Sequence, residues 1–175
     1  MAAEDVIKYL NQWGRGKDVI TSETSCATVE LAALALGTEP ARIAKSISFA
    51  VEDYPKDLPA EKAAEYGCLL IVASGDSKIN STKFKKQFGF KASMLPAEDT
   101  FHATGHAVGG VCPFAISSGK VSVYLDVSLK RFPTVFPACG SSNSLIELTC
   151  EELFTYSGAK DWVDVCKGWE EPPAT

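Results

Sequence analysis

The chain has 175 residues, of which 46% are apolar and 22% charged, the composition of an ordinary globular protein. This length suits one domain that buries roughly 70% of its unfolded surface in a single core. No apolar run approaches the roughly 20 residues of a membrane span, and residues 1–5 carry acid where a secretory signal carries base. We therefore expect a cytoplasmic protein without a membrane segment. The net charge of −5 argues against a protein that coats nucleic acid, because phosphate neutralisation requires clustered Lys and Arg.

The six cysteines do not indicate a disulfide framework or a zinc site. None belongs to a Cys-x-x-Cys pair, and their spacings are wide and irregular. Most lie in apolar runs, as Cys68 does, and are expected to be small core residues. Only Cys112 and Cys139, which have Gly and Pro nearby, are predicted to be loop cysteines.

Three helical segments are predicted in the first third of the chain. Residues 4–13 place apolar side chains at helical spacing. A second helix is predicted over residues 28–36, capped by its first residue, a threonine, and ended by Gly37. Pro40 suits the first turn of a short third helix that leads to Lys45. Lys45 is therefore expected at the junction of a helix and a strand.

The middle of the chain alternates strand and helix patterns. Residues 46–51 alternate polar and apolar side chains, which predicts a strand. Residues 68–73 form a continuous apolar run, which is typical of a central strand covered on both faces. Helices are predicted over 80–88, which is rich in lysine, and over 96–103, which has acids in its first turn.

The lysine-rich stretch departs from the acidic balance of the chain. Five lysines fall within fourteen residues, with Asp76 the nearest acid in sequence: Lys78, Lys83, Lys85, Lys86 and Lys91. Such a run is usually the solvated face of a helix, which is the favoured interpretation. The alternative is a local contact surface for an RNA backbone.

The second half of the chain is rich in strands. A glycine-rich segment at 104–113 is followed by predicted strands at 121–127, 134–136, 145–148 and 162–166 and by a capped helix over 149–154. The domain is predicted to span residues 1–168, with a proline-rich, disordered tail at 169–175. This order of elements indicates a mixed α/β fold with an antiparallel component.

The glycine-rich segment could hold a ligand through its backbone. Gly105, Gly109 and Gly110 permit a bare, tightly turned chain whose N–H groups can cradle an anion or a carbonyl oxygen. The segment lacks the Gly-Lys-Ser/Thr ending of a phosphate loop, so nucleotide binding is only weakly indicated. Considered alone, the segment is a turn, and Lys45 is a surface lysine at a helix end.

The two histidines, His102 and His106, have the i, i+4 spacing of metal ligands. Gly105 interrupts a helix between them and no Glu lies there, so a metal site is not predicted. An alternative hypothesis is a thiol hydrolase, with Cys112 as nucleophile, a histidine as its base and Asp126 as the orienting acid.

Taken in order, the motifs resemble the YbaK/prolyl-tRNA synthetase-associated editing-domain family over about residues 24–166. The matching pieces are Leu36-Gly37, Ile43-Ala-Lys45-Ser-Ile47, an apolar strand ending near Asp76, Thr104-Gly-His106, Gly109-Gly-Val-Cys-Pro113, Tyr124-Leu-Asp126-Val-Ser-Leu129, Ala138-Cys-Gly140 and Leu145-Ile-Glu-Leu148. Each piece is short, and the specificity lies in their order and spacing.

The resemblance implies a single compact α/β domain with a mixed, barrel-like sheet flanked by helices and a pocket beside residues 109–113. It implies a hydrolase, a free-standing trans-editing deacylase that cleaves the ester between an amino acid and the terminal adenosine of mischarged tRNA, particularly tRNA for proline. The implied partner is the 3′ end of aminoacyl-tRNA, with an aminoacyl-tRNA synthetase as a further candidate. No cofactor or metal is implied.

The resemblance also assigns roles to individual residues. Lys45 would anchor the terminal phosphate or ribose, for which a compact cation is suited. The substrate's own ribose hydroxyl would assist the attacking water. The oxyanion would be stabilised by backbone N–H groups of Gly109, Gly110, Val111 and Cys112. The other substrate-binding residues that it implies are Gly105, His106, Pro113, Asp126, Gly140 and Ser141.

The sequence departs from the family pattern at two places. The position before the loop proline commonly holds a small hydroxyl residue and here is Cys112, which is expected to alter pocket size and selectivity. Residues 141–144 lack the basic side chains of some members. A pocket of small apolar residues is expected to admit alanine, serine or cysteine and to reject larger amino acids. The alternative from a different class is a non-catalytic module that binds an aminoacyl or nucleotide ligand or docks on a synthetase.

Overall fold

The structure is a computed structural model that describes residues 2–169. The predicted tail at 170–175 lies outside the described residues. Trp169, assigned to that tail from the sequence, packs on the domain instead, because its indole N–H donates to the Cys166 carbonyl at 3.2 Å. None of the helices in the described range has the length and apolar content that a bilayer span needs.

The described chain contains six α-helices and ten strands, with short 3₁₀ turns between some of them. The α-helices are α1 Ala2–Leu10, α2 Val29–Leu36, α3 Ala63–Tyr66, α4 Ser81–Phe88, α5 Ala97–Thr104 and α6 Cys150–Ser157. The strands are β1 Ile20–Thr21, β2 Ile43–Phe49, β3 Cys68–Ser74, β4 Lys78–Ile79, β5 Val121–Asp126, β6 Thr134–Pro137, β7 Ser144–Leu145, β8 Leu148–Thr149, β9 Asp161–Val163 and β10 Cys166–Lys167.

Local capping signals explain where the helices begin and end. The Thr28 hydroxyl caps α2 by accepting a backbone N–H at 3.2 Å, and Gly37 ends that helix in the left-handed region with φ 66°. Asn80 and Thr149 cap α4 and α6 in the same way. These predicted helices are therefore confirmed.

The central sheet has six strands in the order β8-β6-β2-β3-β5-β9. β2 is antiparallel to β3 and parallel to β6, whereas β5 is parallel to both β3 and β9. The sheet curls into a half barrel. The predicted single domain with a mixed, barrel-like sheet flanked by helices is confirmed.

β3 forms the buried centre of this sheet, since all seven of its residues are buried. Leu70 on one face packs with residues of α1 and α6 and with the interior of the glycine-rich segment. Ile71 on the other face packs with Phe84 of α4. The continuous apolar run of this strand is explained because both of its faces are covered by helices.

Three strands begin or end at other residues than predicted, because strand pairing sets their boundaries. β2 begins at Ile43, where its ladder with β6 starts, so Lys45 lies inside a strand and the predicted helix–strand junction is wrong. The predicted strand 145–148 is instead divided between β7 and β8, which pair with different strands. The predicted strand 162–166 is divided in the same way between β9 and β10.

One edge of β2 is covered only at its two ends. The ladder with β6 ends at Ala44, and further along the strand the Ser48 carbonyl accepts the Leu95 N–H at 3.0 Å. Residues two apart in a strand direct their backbone groups to the same edge. The N–H and C=O of Ser46 therefore face an uncovered stretch of the sheet edge.

Candidate active site

A cavity of about 380 Å³ lies beside this uncovered stretch of β2. β2 contributes its floor, and the walls come from the residues before α2, the start of α5 and the glycine-rich segment. The lining includes Ala27, Lys45, Ser46, Thr100, Gly109 and Val111. Most of the lining is apolar, which suits a small ligand held by few polar contacts.

Three irregular segments meet at the cavity mouth. Segment 22–28 is tied by backbone hydrogen bonds to segment 142–143. Gly109 of the glycine-rich segment has φ 95°, and a Cβ there would lie 3.3 Å from that of Ala27. A Cβ on Gly110 would lie 2.7 Å from the backbone nitrogen of Ser141. The loop therefore needs one glycine for its backbone angle and the next for close approach.

The backbone N–H groups of the loop are not equivalent. The Gly110 N–H donates to the Ala107 carbonyl at 3.0 Å and is used within the turn. The N–H groups of Gly109 and Val111 make no backbone hydrogen bond to another described residue, and both residues line the cavity. Cys112 does not line it. Of the four residues over 109–112 that were predicted as oxyanion donors, Gly109 and Val111 are therefore the two that line the cavity with an N–H group that makes no backbone hydrogen bond to another described residue.

Lys45 contributes the one basic side chain of the cavity lining. Its ammonium donates a hydrogen bond to the Ser77 carbonyl. Burial lowers the pKa of Lys45, and the nearby carboxylates of Asp76 and Glu30 partly oppose that effect. The ammonium is thus half desolvated and held by a neutral acceptor that an anionic ligand can displace.

The loop that carries Ser77, the hydrogen-bond partner of Lys45, is held in place by an ion pair. Arg131 binds both carboxylate oxygens of Asp76, at 2.6 and 3.0 Å, and donates to the Ser74 hydroxyl at 2.8 Å. Burial would raise the pKa of Asp76, but the hydrogen bonds from Arg131 and Ser74 outweigh it and lower the pKa. Asp76 therefore has a structural role and supplies negative charge near Lys45.

Ser46 is a cavity residue that was not singled out from the sequence. Its hydroxyl oxygen is buried and has no hydrogen-bond partner among the described residues, whereas the Ser48 hydroxyl two residues later is 2.7 Å from that of Thr100. A buried hydroxyl without a partner is rare in proteins, which makes Ser46 a candidate contact for a ligand. The sequence signal for it was a small polar residue next to Lys45 in a strand that is otherwise largely apolar.

Cys112 and His106 lie in contact beneath the cavity. The Cys112 sulfur is 3.5 Å from His106 Nε2, and both residues are buried, at 0% and 1% exposure. His106 Nε2 is also 2.7 Å from the Phe114 carbonyl. A carbonyl can only accept, so Nε2 carries the hydrogen and cannot act as a base toward the thiol. Burial raises the pKa of Cys112 to about 12 and lowers that of His106.

Asp126 does not complete a triad with these residues. Its carboxylate accepts the Ser128 N–H at 3.0 Å and the Val165 N–H at 2.9 Å. His106 Nδ1, which an orienting acid would bind, is buried and has no partner. The geometry required by the thiol-hydrolase hypothesis is therefore not present. Cys112 and Cys139 lie outside helices and strands, as predicted, and both are completely buried.

Six residues that were predicted from the sequence to bind the substrate do not line the cavity. They are Gly105, His106, Pro113, Asp126, Gly140 and Ser141. Gly105 ends α5 and Gly140 shapes a turn, both with φ near 90°. The Ser141 hydroxyl lies 2.6 Å from that of Ser144. Of the predicted site residues, Lys45, Gly109 and Val111 line the cavity.

Comparison with known proteins identifies the family of this chain. The family model of the aminoacyl-tRNA editing domain matches residues 23–156. The uncharacterized protein YwhH of Bacillus subtilis (strain 168) is 50% identical over 170 residues, which cover 97% of this chain and 100% of YwhH. The chain therefore belongs to the aminoacyl-tRNA editing domain family.

Two solved structures are similar over nearly the whole chain. One is described as "a putative trans-editing enzyme for prolyl tRNA synthetase", with a TM-score of 0.79, 28% identity and coverage of 95% of this chain and 98% of that one. The other comes from a study of epitope backbone grafting onto scaffold proteins, with a TM-score of 0.79, 27% identity and coverage of 95% and 97%.

Proposed function

We propose that this protein is a free-standing, cytoplasmic aminoacyl-tRNA deacylase that hydrolyses the ester of mischarged tRNA. The observation that carries the proposal is the cavity itself, whose lining contains a half-desolvated lysine and two backbone N–H groups without backbone partners in the described chain. Membership of the editing-domain family supports the same reaction class. Proline tRNA is the proposed carrier, in line with the description of one similar structure.

The proposed reaction uses the cation and the backbone for different tasks. The Lys45 ammonium leaves the Ser77 carbonyl and binds the terminal phosphate or ribose of the tRNA, since an anion is the stronger acceptor. The ester carbonyl then points at the N–H groups of Gly109 and Val111, which stabilise the negative charge that develops on its oxygen. A water molecule attacks the carbonyl carbon, the ribose oxygen leaves, and a ribose hydroxyl of the substrate relays the proton.

Selectivity is proposed to come from the size of the cavity. Its walls contain small and apolar side chains, among them Ala27, Val111 and Ala138. One methylene group in such a pocket changes binding by only about 1–3 kcal/mol, so larger amino acids are excluded by contact rather than by a specific repulsion. Alanine, serine and cysteine are the proposed amino acids. Cys112 lies outside the lining, so its departure from the family pattern does not change the pocket surface directly.

The decisive experiment is a panel of tRNAs charged with alanine, serine, cysteine or proline, incubated with a catalytic amount of the protein. We expect repeated rounds of release for at least one small amino acid and little release of the cognate proline. Stoichiometric binding without release would instead assign the cavity to a non-catalytic module that holds an aminoacyl ligand or docks on a synthetase. Failure to hydrolyse any ester of the panel would remove the deacylase proposal.

A further inference from the structure

A concave basic surface on α4 takes no part in the proposed ester hydrolysis. We define the α4 basic groove by the five residues that line it, Ser81, Thr82, Lys85, Lys86 and Lys91. All five are exposed. The three lysines form no ion pair with another described residue. Their charges face solvent side by side.

The charge of this groove is opposite to that of the molecule. Residues 78–91 contain five lysines and no acid, whereas the rest of the chain contains twelve basic and twenty-two acidic residues. α4 buries Phe84 against the sheet, which directs Lys85 and Lys86 outward. Lys83 binds Asp164 at 3.0 Å and is therefore not counted with the groove. Lysine charges clustered in one groove repel one another, so an external polyanion would relieve their repulsion.

The groove adjoins the cavity along two paths. Ser77, whose carbonyl holds the Lys45 ammonium, is followed by Lys78 of β4, and α4 begins at Ser81. On the other side, Lys91 and Met94 border one shallow depression, and Met94 also lines the cavity. A chain of phosphates that begins at Lys45 can therefore continue onto α4 without crossing the core.

We propose that the α4 basic groove docks the phosphate backbone of the tRNA acceptor end while the terminal ester occupies the cavity. The placement of the ester rests on the proposed function. Lysine ammonium groups and Ser or Thr hydroxyls are the usual protein contacts to phosphate, and such contacts position an RNA without reading its sequence. The acidic residues Glu52 and Asp53 of the depression beyond Lys91 limit the docking surface on that side.

The test compares two triple charge reversals with the same change in net charge. The groove variant is Lys85→Glu/Lys86→Glu/Lys91→Glu. The control variant is Lys8→Glu/Lys17→Glu/Lys62→Glu, which alters three exposed lysines outside residues 78–91. The primary readout is the Kd for uncharged tRNA as a function of salt, which does not depend on catalysis. The second readout is the release of the amino acid from a 3′-aminoacyl adenosine, which has no acceptor stem.

We expect the groove variant to bind tRNA at least about 10-fold more weakly than the control and to lose about 2–3 from the slope of log Kd against log salt, close to one per lysine. Hydrolysis of the aminoacyl adenosine should be the same in both variants and the wild type. Equal tRNA affinity in the two variants, or no measurable binding by the wild type, would overturn the docking proposal. If the wild type does not hydrolyse the aminoacyl adenosine, that result would count against the deacylase proposal and not against the docking proposal.

Discussion

Of two neighbouring regions of the molecule, one holds side chains of reactive types and the other is accessible to a ligand. The Cys112–His106 pair has the residue types of a nucleophile and a base, yet both side chains are buried and the histidine hydrogen is committed to a carbonyl. The cavity above them is open to a ligand, yet it offers one lysine, hydroxyl groups and backbone N–H groups. Chemistry in this fold is therefore expected where the backbone is accessible, and the thiol is expected to be inert.

This difference has a physical cause. Placing a charged thiolate or imidazolium in the core would require desolvation without a compensating partner, and the raised pKa of Cys112 and the lowered pKa of His106 express that cost. Backbone N–H groups, in contrast, carry a dipole without a net charge. They can stabilise a developing oxyanion without reorganising, which is the arrangement that favours acyl transfer.

The largest effect is expected from Lys45→Ala. Removing a charge-assisted contact to the substrate should cost about 3 kcal/mol, which is about a 100-fold loss in kcat/KM, expressed mainly in KM because the lysine anchors rather than reacts. Lys17→Ala, at an exposed position outside the cavity, is the control. The measurement is steady-state hydrolysis of the best ester, with the thermal unfolding of both variants compared. A variant with unchanged KM would show that Lys45 is not the anchor.

A smaller loss of activity is expected from Gly109→Ala. Its φ of 95° is strained for any residue with a Cβ, at a cost of about 1–2 kcal/mol, so we expect kcat to fall about 10-fold as the loop shifts. Gly119→Ala is the matched control, because a Cβ there meets nothing within 4 Å and its φ is not positive. Equal activity of the two variants would show that catalysis does not depend on the backbone conformation of the loop.

Ser46→Ala should change activity and stability in opposite directions. Loss of one hydrogen bond to the substrate lowers kcat/KM by about 5-fold, whereas removing a buried hydroxyl without a partner raises the free energy of unfolding by up to about 1 kcal/mol. Ser48→Ala is the control in the same strand. It breaks a hydrogen bond to Thr100 and should lower stability. Chemical denaturation and hydrolysis rates, measured on both variants, check the signs. A loss of stability in Ser46→Ala would mean that its hydroxyl is already satisfied.

The smallest effect is expected on the pH dependence of stability. The pKa of His106 is lowered in the folded protein, so below an unfolded pKa of about 6.5 the unfolded chain binds more protons and stability falls. The slope is at most about 1.4 kcal/mol per pH unit, and it ends below the folded pKa. His106→Gln should remove this slope between about pH 6.5 and 5.5, and His102→Gln, at an exposed position, should keep it. Identical slopes in the three proteins would show that His106 titrates normally.

Local patterns were sufficient to predict much of the fold. α2 and α4 follow from their caps and glycine ends, and β3 follows from its apolar run, because each signal lies within a few residues of its effect. The start of β2 at Ile43 was missed, since it depends on pairing with β6, which lies about ninety residues later in the chain. The division of the predicted strand 145–148 has the same cause.

The candidate site was predicted less completely than the fold. Lys45, Gly109 and Val111 were named from the motifs, and they line the cavity. The sequence could not place Ser46 there, because its importance comes from an uncovered strand edge. Nor could it place Cys112 in the core, since glycine and proline neighbours are typical of an exposed turn, whereas this turn is covered by two other segments.

The most direct test of the division between the two regions is the rate of amino acid release from mischarged tRNA by Cys112→Ala. The substitution removes the thiol and leaves the backbone N–H groups of Gly109 and Val111 in place. We predict a kcat/KM within about 3-fold of the wild type, a change of less than about 1 kcal/mol in the barrier. A loss of about 100-fold or more in a folded variant would contradict the account and would indicate that Cys112 is the nucleophile.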